Sequence, residues 1–438
     1  MGSWCKKPNL ARYQPSGLDS LRSDGSRKRM ENNNNTTAET TAVVEESTGC
    51  TIFCAKLKGI KNTSPANILS SRAVFSSPTS SIIATGTDIV NLNIKFPNNY
   101  TKKSTKIKGI PAPIQIDECI GETIIDSKLT REIQSIAYSR GGTGSSLDTL
   151  AVIDNKGNIS VFDNTVNGDT GISTLNFRYS ITSDNKSEPG WCGVSVNHTS
   201  PNIIASCSFY DKQVRIYDNG KLVSSYSLAN HPTQIAYLHK DDSHLLAVSE
   251  QNQLNIIDTK TKEIIQKFIP TTSNIYSLET STNGLVAVGG EGRTIHVYES
   301  KRWANVGNWS GCLKYEITGI NFSDKLKGVC YVSGMDSEIL AGDYDGSSGS
   351  DHFAGIRVDS RWLGITKLNG HESLFGFTSS GGLYWVHDAD KLYAGKKIIT
   401  KLTGSKHQKE NINNNGDQST NSSGTNSPKH INKKSKQQ

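Results

Sequence analysis

A few stretches of the chain place residues where they could do chemistry. Gly141-Gly142-Thr143-Gly144-Ser145-Ser146 has the glycine density of a loop that cradles phosphate. Such a loop needs Lys where Ser145 stands, and a helix whose N-terminus faces the anion. Leu147 to Val152 reads instead as a strand, so the glycines mark a hairpin loop. Asp343-Tyr344-Asp345-Gly346-Ser347-Ser348-Gly349-Ser350-Asp351 alternates carboxylates at a spacing that can converge oxygens on a calcium ion. A calcium-binding helix-loop-helix wants Gly at the sixth position and Glu at the twelfth, where Ser348 and Ala354 stand. This stretch therefore reads as a polar loop. The histidines are scattered without zinc spacing. No G-x-S-x-G elbow offers an activated serine. These observations predict no catalytic residue, no metal and no cofactor, leaving an unrecognised hydrolytic site on a loop rim as a minor alternative.

The elements that carry these loops are more informative. Asn202-Ile203-Ile204-Ala205-Ser206-Cys207-Ser208 is a strand of small and β-branched residues. The polar turn Phe209-Tyr210-Asp211-Lys212 follows, and then the alternating strand Gln213 to Asp218. The same grammar returns from Leu245 to Asp258 and from Leu285 to Glu299. The acidic residues Asp163, Asp218, Asp258, Glu299 and Asp343 close successive third strands, and His387 takes that place in the last unit. Their spacing is mostly a period of about 40–45 residues, which suits four strands per unit. Each unit opens on its own strand: Ile133 to Tyr138, Cys192 to Val196, Thr233 to Tyr237, Ile275 to Thr280, Ile317 to Phe322 and Trp362 to Lys367. An upstream unit from Arg72 to Leu92 brings the count to seven.

Val74-Phe75-Ser76-Ser77-Pro78 before Ile83-Ala84-Thr85-Gly86-Thr87-Asp88 resembles a degenerate WD40 repeat, as does Ser208 to Asp211 before Arg215-Ile216-Tyr217-Asp218. The resemblance covers roughly residues 50 to 400. It implies an all-β, seven-bladed WD40-like β-propeller. No blade ends in a literal Trp-Asp, and the family's Gly-His pair is mostly missing. Both departures loosen the hydrogen-bonded network for which the family is known.

The expected organisation is a disordered tail over 1–49, a propeller over 50–402 and a disordered Lys-, Asn- and Ser-rich tail over 403–438. A closed ring must pair its last edge, because an open strand edge templates aggregation. The alternating segment Thr51 to Leu57 is the expected closing strand, with Lys397 to Leu402 as the competing one.

The net charge of +7 is concentrated in the tails. Residues 403–438 hold six lysines against Glu410 and Asp417, which leaves the central span nearly neutral. Direct nucleic-acid contact by the propeller is therefore not expected. No leader segment or apolar run of the ~18 residues needed to span a membrane is visible. The 8 cysteines form no C-x-x-C pair. A reduced compartment is expected, with thiols behaving as small hydrophobes.

Lys433, Lys434 and Lys436 form a short basic cluster of the kind nuclear import receptors read, and Arg27-Lys28-Arg29 forms another. Gly2 with Cys5 satisfies part of an acylation signal, but Lys6 stands where Ser or Thr is favoured. The functional expectation is a non-catalytic scaffold, monomeric by itself, holding one or more proteins in a nuclear or nucleocytoplasmic multiprotein complex. The alternative is a membrane-associated signalling scaffold acylated at Gly2 and Cys5. Partner anchors are expected where first strands begin or where second and third strands turn: Arg72, Trp191, Tyr210, Arg293, Met335 and Trp362.

Overall fold

The structure is a computed structural model, and it describes residues 50–57, 68–69, 71–97, 113–141, 148–167, 172–346 and 354–393. These residues form a seven-bladed β-propeller, each blade a mainly antiparallel sheet. The innermost strands of blades 2 to 7 are Ile133–Ser139, Cys192–Val196, Pro232–Tyr237, Ile275–Thr280, Ile317–Phe322 and Trp362–Lys367. Blade 1 opens with Ala73–Ser77.

The burial pattern follows the sequence outward. Second strands such as Ile203–Ser208 and Leu285–Gly290 lie between neighbouring blades and are buried on both faces. Outer strands such as Lys221–Ser227 and Glu263–Phe268 are mostly exposed. Seven apolar clusters result, one at each interface between adjacent blades. All seven described cysteines are free, and six of them are buried. Burial pushes the Cys192 thiol up to about 12, so it packs as a protonated, unreactive group.

The strands share an irregularity that sequence patterning hides. In blades 2, 4, 5, 6 and 7 the innermost strand carries one extra residue near its start: Gln134, Thr233, Tyr276, Thr318 and Leu363. Such bulges increase local twist and re-aim side chains. Here they sit at equivalent places around the ring and belong to the repeat itself.

Thr51–Lys56 closes the ring as the fourth strand of blade 7, running antiparallel to Gly382–His387 with Thr51 opposite His387. Ile114–Gln115 then adds a short parallel fifth strand beside Phe53 and Cys54. The closure is packed as a core. Phe53, Phe75, Phe375 and Trp385 belong to one cluster, and the Trp385 ring stacks on Phe375 at 5.1 Å. The Trp385 indole Nε1–H donates to Ser81 Oγ at 3.2 Å, tying the last blade to the first. The competing segment Lys397 to Leu402 and both tails lie outside the described residues.

Candidate partner-binding face

In an antiparallel blade, the start of the innermost strand and the turn between the second and third strands lie at the same end. All six anchors expected from sequence therefore fall on one side of the disc, called the front face here. Burial separates them. Trp191 is 1% exposed and Trp362 is 4% exposed. Both rings pack in the clusters between blades, and neither offers surface to a partner. Trp362 lies over Gly376, where a Cβ would meet the ring at 2.2 Å. Arg72 is likewise buried, and its Nη2 donates to Glu132 Oε1 at 2.8 Å. A buried cation is retained only when paired, so Arg72 serves to join blades 1 and 2. Met335 is half-buried, and its backbone N–H is bonded to the Glu316 carbonyl.

Tyr210 and Arg293 do reach solvent. Tyr210 is 49% exposed. Its ring crosses Gly190 so closely that a Cβ there would stand 2.5 Å from the ring. Phe209 stacks on His231 at 4.4 Å, and Tyr210 meets Phe209 edge-on at 5.1 Å. His231 Nδ1 is 2.8 Å from the Phe209 carbonyl, which fixes the imidazole beneath this aromatic platform. Asp211 holds the turn from below through an ion pair to Arg215 at 2.5 Å. Arg293 sits at the same turn in blade 5, with a positive φ of 54°.

Beside the platform is a cavity of about 440 Å³ lined by Leu69, Trp191, Phe209, Tyr210, Gln251 and Tyr276. Its walls mix apolar rings with the polar residues Thr233, Gln251 and Asn274. The Trp191 Nε1–H is buried and has no hydrogen-bond partner among the described residues. Leu69 reaches this place from the connection between the closing strand and blade 1. It packs into the cluster between blades 3 and 4, and Gln234 Nε2 donates to its carbonyl at 2.9 Å.

Of the six expected residues, the structure brings Trp191 and Tyr210 to this cavity. Sequence reading missed Phe209, although it adjoins Tyr210 in the same turn. It also missed Leu69 and Tyr276, for which only the three-dimensional path of the chain gives a signal.

The two loops weighed for chemistry sit at strand ends. Ile133–Ser139 and Asp148–Asp154 pair as a hairpin around the glycine-rich stretch, of which residues 142–147 lie outside the described residues. The strand Glu338–Asp343 ends where the acidic loop begins, and residues 347–353 lie outside them too. Among the described residues, no three His, Cys, Asp or Glu side chains cluster closely enough to hold a metal ion. No helix there is long and apolar enough to cross a membrane.

No family model matches the chain, and no curated protein matches it. Among solved structures it is similar to a chain of one described as "Crystal Structure of Mitotic Checkpoint Complex". The two share 13% sequence identity with a TM-score of 0.53, over 86% of this chain and 98% of that one. At this identity the likeness is one of fold.

Proposed function

We propose that the chain is a non-catalytic protein-interaction scaffold, a WD40-like subunit of a nuclear or nucleocytoplasmic multiprotein complex, and that it docks a partner on its front face. One observation carries the reading. The exposed Tyr210 ring and the adjoining Phe209 border a cavity of about 440 Å³ with mixed apolar and polar walls. A rigid aromatic beside a partly apolar pocket loses little entropy on binding, which is how interface anchors gain their energy. The fold is shared with a chain from a multiprotein assembly, which is consistent with this role.

Replacing Tyr210 by Ala removes an exposed ring and leaves the cores between blades intact. Truncating an anchor of this kind weakens binding by about 2–4 kcal/mol, roughly 30- to 1,000-fold. Quantitative co-purification should therefore show the stable partner depleted from Tyr210→Ala and retained by Ile124→Ala, which alters exposed apolar surface on the outer strand of blade 1. Equal recovery by both variants would refute front-face docking.

The nuclear component rests on the C-terminal basic cluster. With the protein tagged internally, replacing Lys433, Lys434 and Lys436 by Ala should move it to the cytoplasm, whereas Gly2→Ala should leave its distribution unchanged. Membrane-bound protein released by Gly2→Ala would favour the acylated scaffold instead, since a myristoyl chain with a second acyl anchor holds membrane stably.

A further inference from the structure

The innermost strands of all seven blades enclose a central cavity of about 230 Å³. Its composition changes along the axis. Toward the ends of the innermost strands, on the face opposite the Tyr210 platform, it is lined by His198, His239, Glu279, Lys367 and Arg140. These residues come from blades 2, 3, 4, 5 and 7, so only closure of the ring brings them together.

Most of the charge here is already matched. Lys367, with its side chain 6% exposed, gives its ammonium to Asp324 Oδ2 at 2.5 Å. It also donates to the carbonyls of Leu368 and His371. His198 and His239 stack at 3.7 Å between ring centroids, only 12° from parallel. His198 is hydrogen-bonded to the backbone of Tyr237, and His239 to that of Thr280. Burial holds His198 down to about 3 and His239 down to about 4. At neutral pH both rings are uncharged, and each keeps one nitrogen as an acceptor.

Glu279 is the exception. Its carboxyl lines the cavity, where the residue is half-buried, and no described residue donates a hydrogen bond to it. The charges acting on it are Lys367, which favours ionisation, and Asp324, which opposes it. Burial dominates and pushes the carboxyl up to about 8. The nearby ammonium is committed to Asp324, so when Glu279 ionises its negative charge has no dedicated partner. Two neutral imidazoles add acceptors and no positive charge. Arg140, exposed at the rim, is the one further cation among these residues.

We infer that this end of the channel is a binding site for a single organic cation, a primary ammonium or a guanidinium, with Glu279 as its counter-charge. The site is independent of the front-face docking proposed above. An incoming cation completes the ion pair that the fold leaves open and displaces the carboxyl proton. Binding is therefore coupled to proton release. Between pH 7 and pH 9 the ionised fraction of a carboxyl titrating at about 8 rises about tenfold, and affinity should rise by the same factor. A lysine-type ammonium, with a pKa of about 10.4, stays charged over that range.

The full chain would be titrated calorimetrically with butylamine, methylguanidine, and the blocked tripeptides Gly-Lys-Gly and Gly-acetyllysine-Gly at pH 7 and pH 9. We expect the charged probes to bind about tenfold more tightly at pH 9, with proton uptake by the buffer at pH 7. Glu279→Gln should weaken them at least tenfold at pH 9, and acetyllysine should not bind. Binding of the lysine peptide well above butylamine identifies a protein side chain as the source, and equal binding identifies a free amine. The proposal is overturned if no charged probe binds, if acetyllysine binds as well as lysine, or if a correctly folded Glu279→Gln binds as well as the parent. The circular dichroism spectrum of Glu279→Gln separates a lost site from a lost fold.

Discussion

A chain that begins at Ser64, and so lacks Thr51–Lys56, is expected to yield no stable, soluble propeller. The segment from Thr51 to Leu57 contributes Ile52 at 1%, Phe53 at 2% and Leu57 at 7% exposure. Burying three such side chains is worth about 5–9 kcal/mol at 1.5–3 kcal/mol each. The six-residue ladder to Gly382–His387 adds to this. The total rivals the whole stability of an ordinary domain, about 5–15 kcal/mol. Removal would also bare the edge of Gly382–His387, open to pairing with another copy, and take away the only strand partner of Ile114–Gln115 among the described residues. Phe53→Ala is the milder version. It keeps the ladder and empties a space among Phe96, Trp385 and His387, at about 3–5 kcal/mol. Size-exclusion chromatography with light scattering, and thermal melts of both proteins, check the expectation. A Ser64-start protein as monomeric and as heat-stable as the full chain would show that the ring closes some other way.

The closing strand was legible because its alternation needs a partner and the last blade was short of one. The same logic located the innermost strands. Cys192–Val196, Ile275–Thr280, Ile317–Phe322 and Trp362–Lys367 fold over the bounds their patterning predicts. Each is a local pattern of β-branched and small residues whose meaning does not depend on distant parts of the chain. What stayed hidden is non-local. Ile114–Gln115 is two residues of strand that exist only because Phe53 and Cys54 present an edge. Arg72, at the start of a first strand, has the sequence of an exposed anchor. It is buried because Glu132, 60 residues on, meets it inside the ring. Glu279 follows Leu278 in the strand, and nothing in its neighbours singles it out. Ring closure turns it toward the channel instead of bulk water. Positions whose surroundings come from five different blades carry no short-range signature.

That placement should also show in how the fold responds to pH. The folded-state value of Glu279 lies at about 8, raised from 4.5, so the folded chain holds this proton where the unfolded chain has lost it. Its stabilising share is complete below about 4.5 and is lost as pH rises through about 8. His198 and His239 act in the opposite sense. Their folded values lie below the usual 6.5, so their share is complete above it and is lost as pH falls toward 3–4. Comparing Glu279→Gln with the parent cancels the histidine contribution and isolates the carboxyl. The full shift corresponds to a ceiling of about 5 kcal/mol, and water in the cavity lowers what is realised to about 2–4 kcal/mol. Urea unfolding should therefore find Glu279→Gln more stable than the parent by that amount at pH 9, and within about 1 kcal/mol of it at pH 5. Equal stability of the two proteins at pH 9 would mean that Glu279 is already matched in the free protein, and the channel would then have no open charge to offer a ligand.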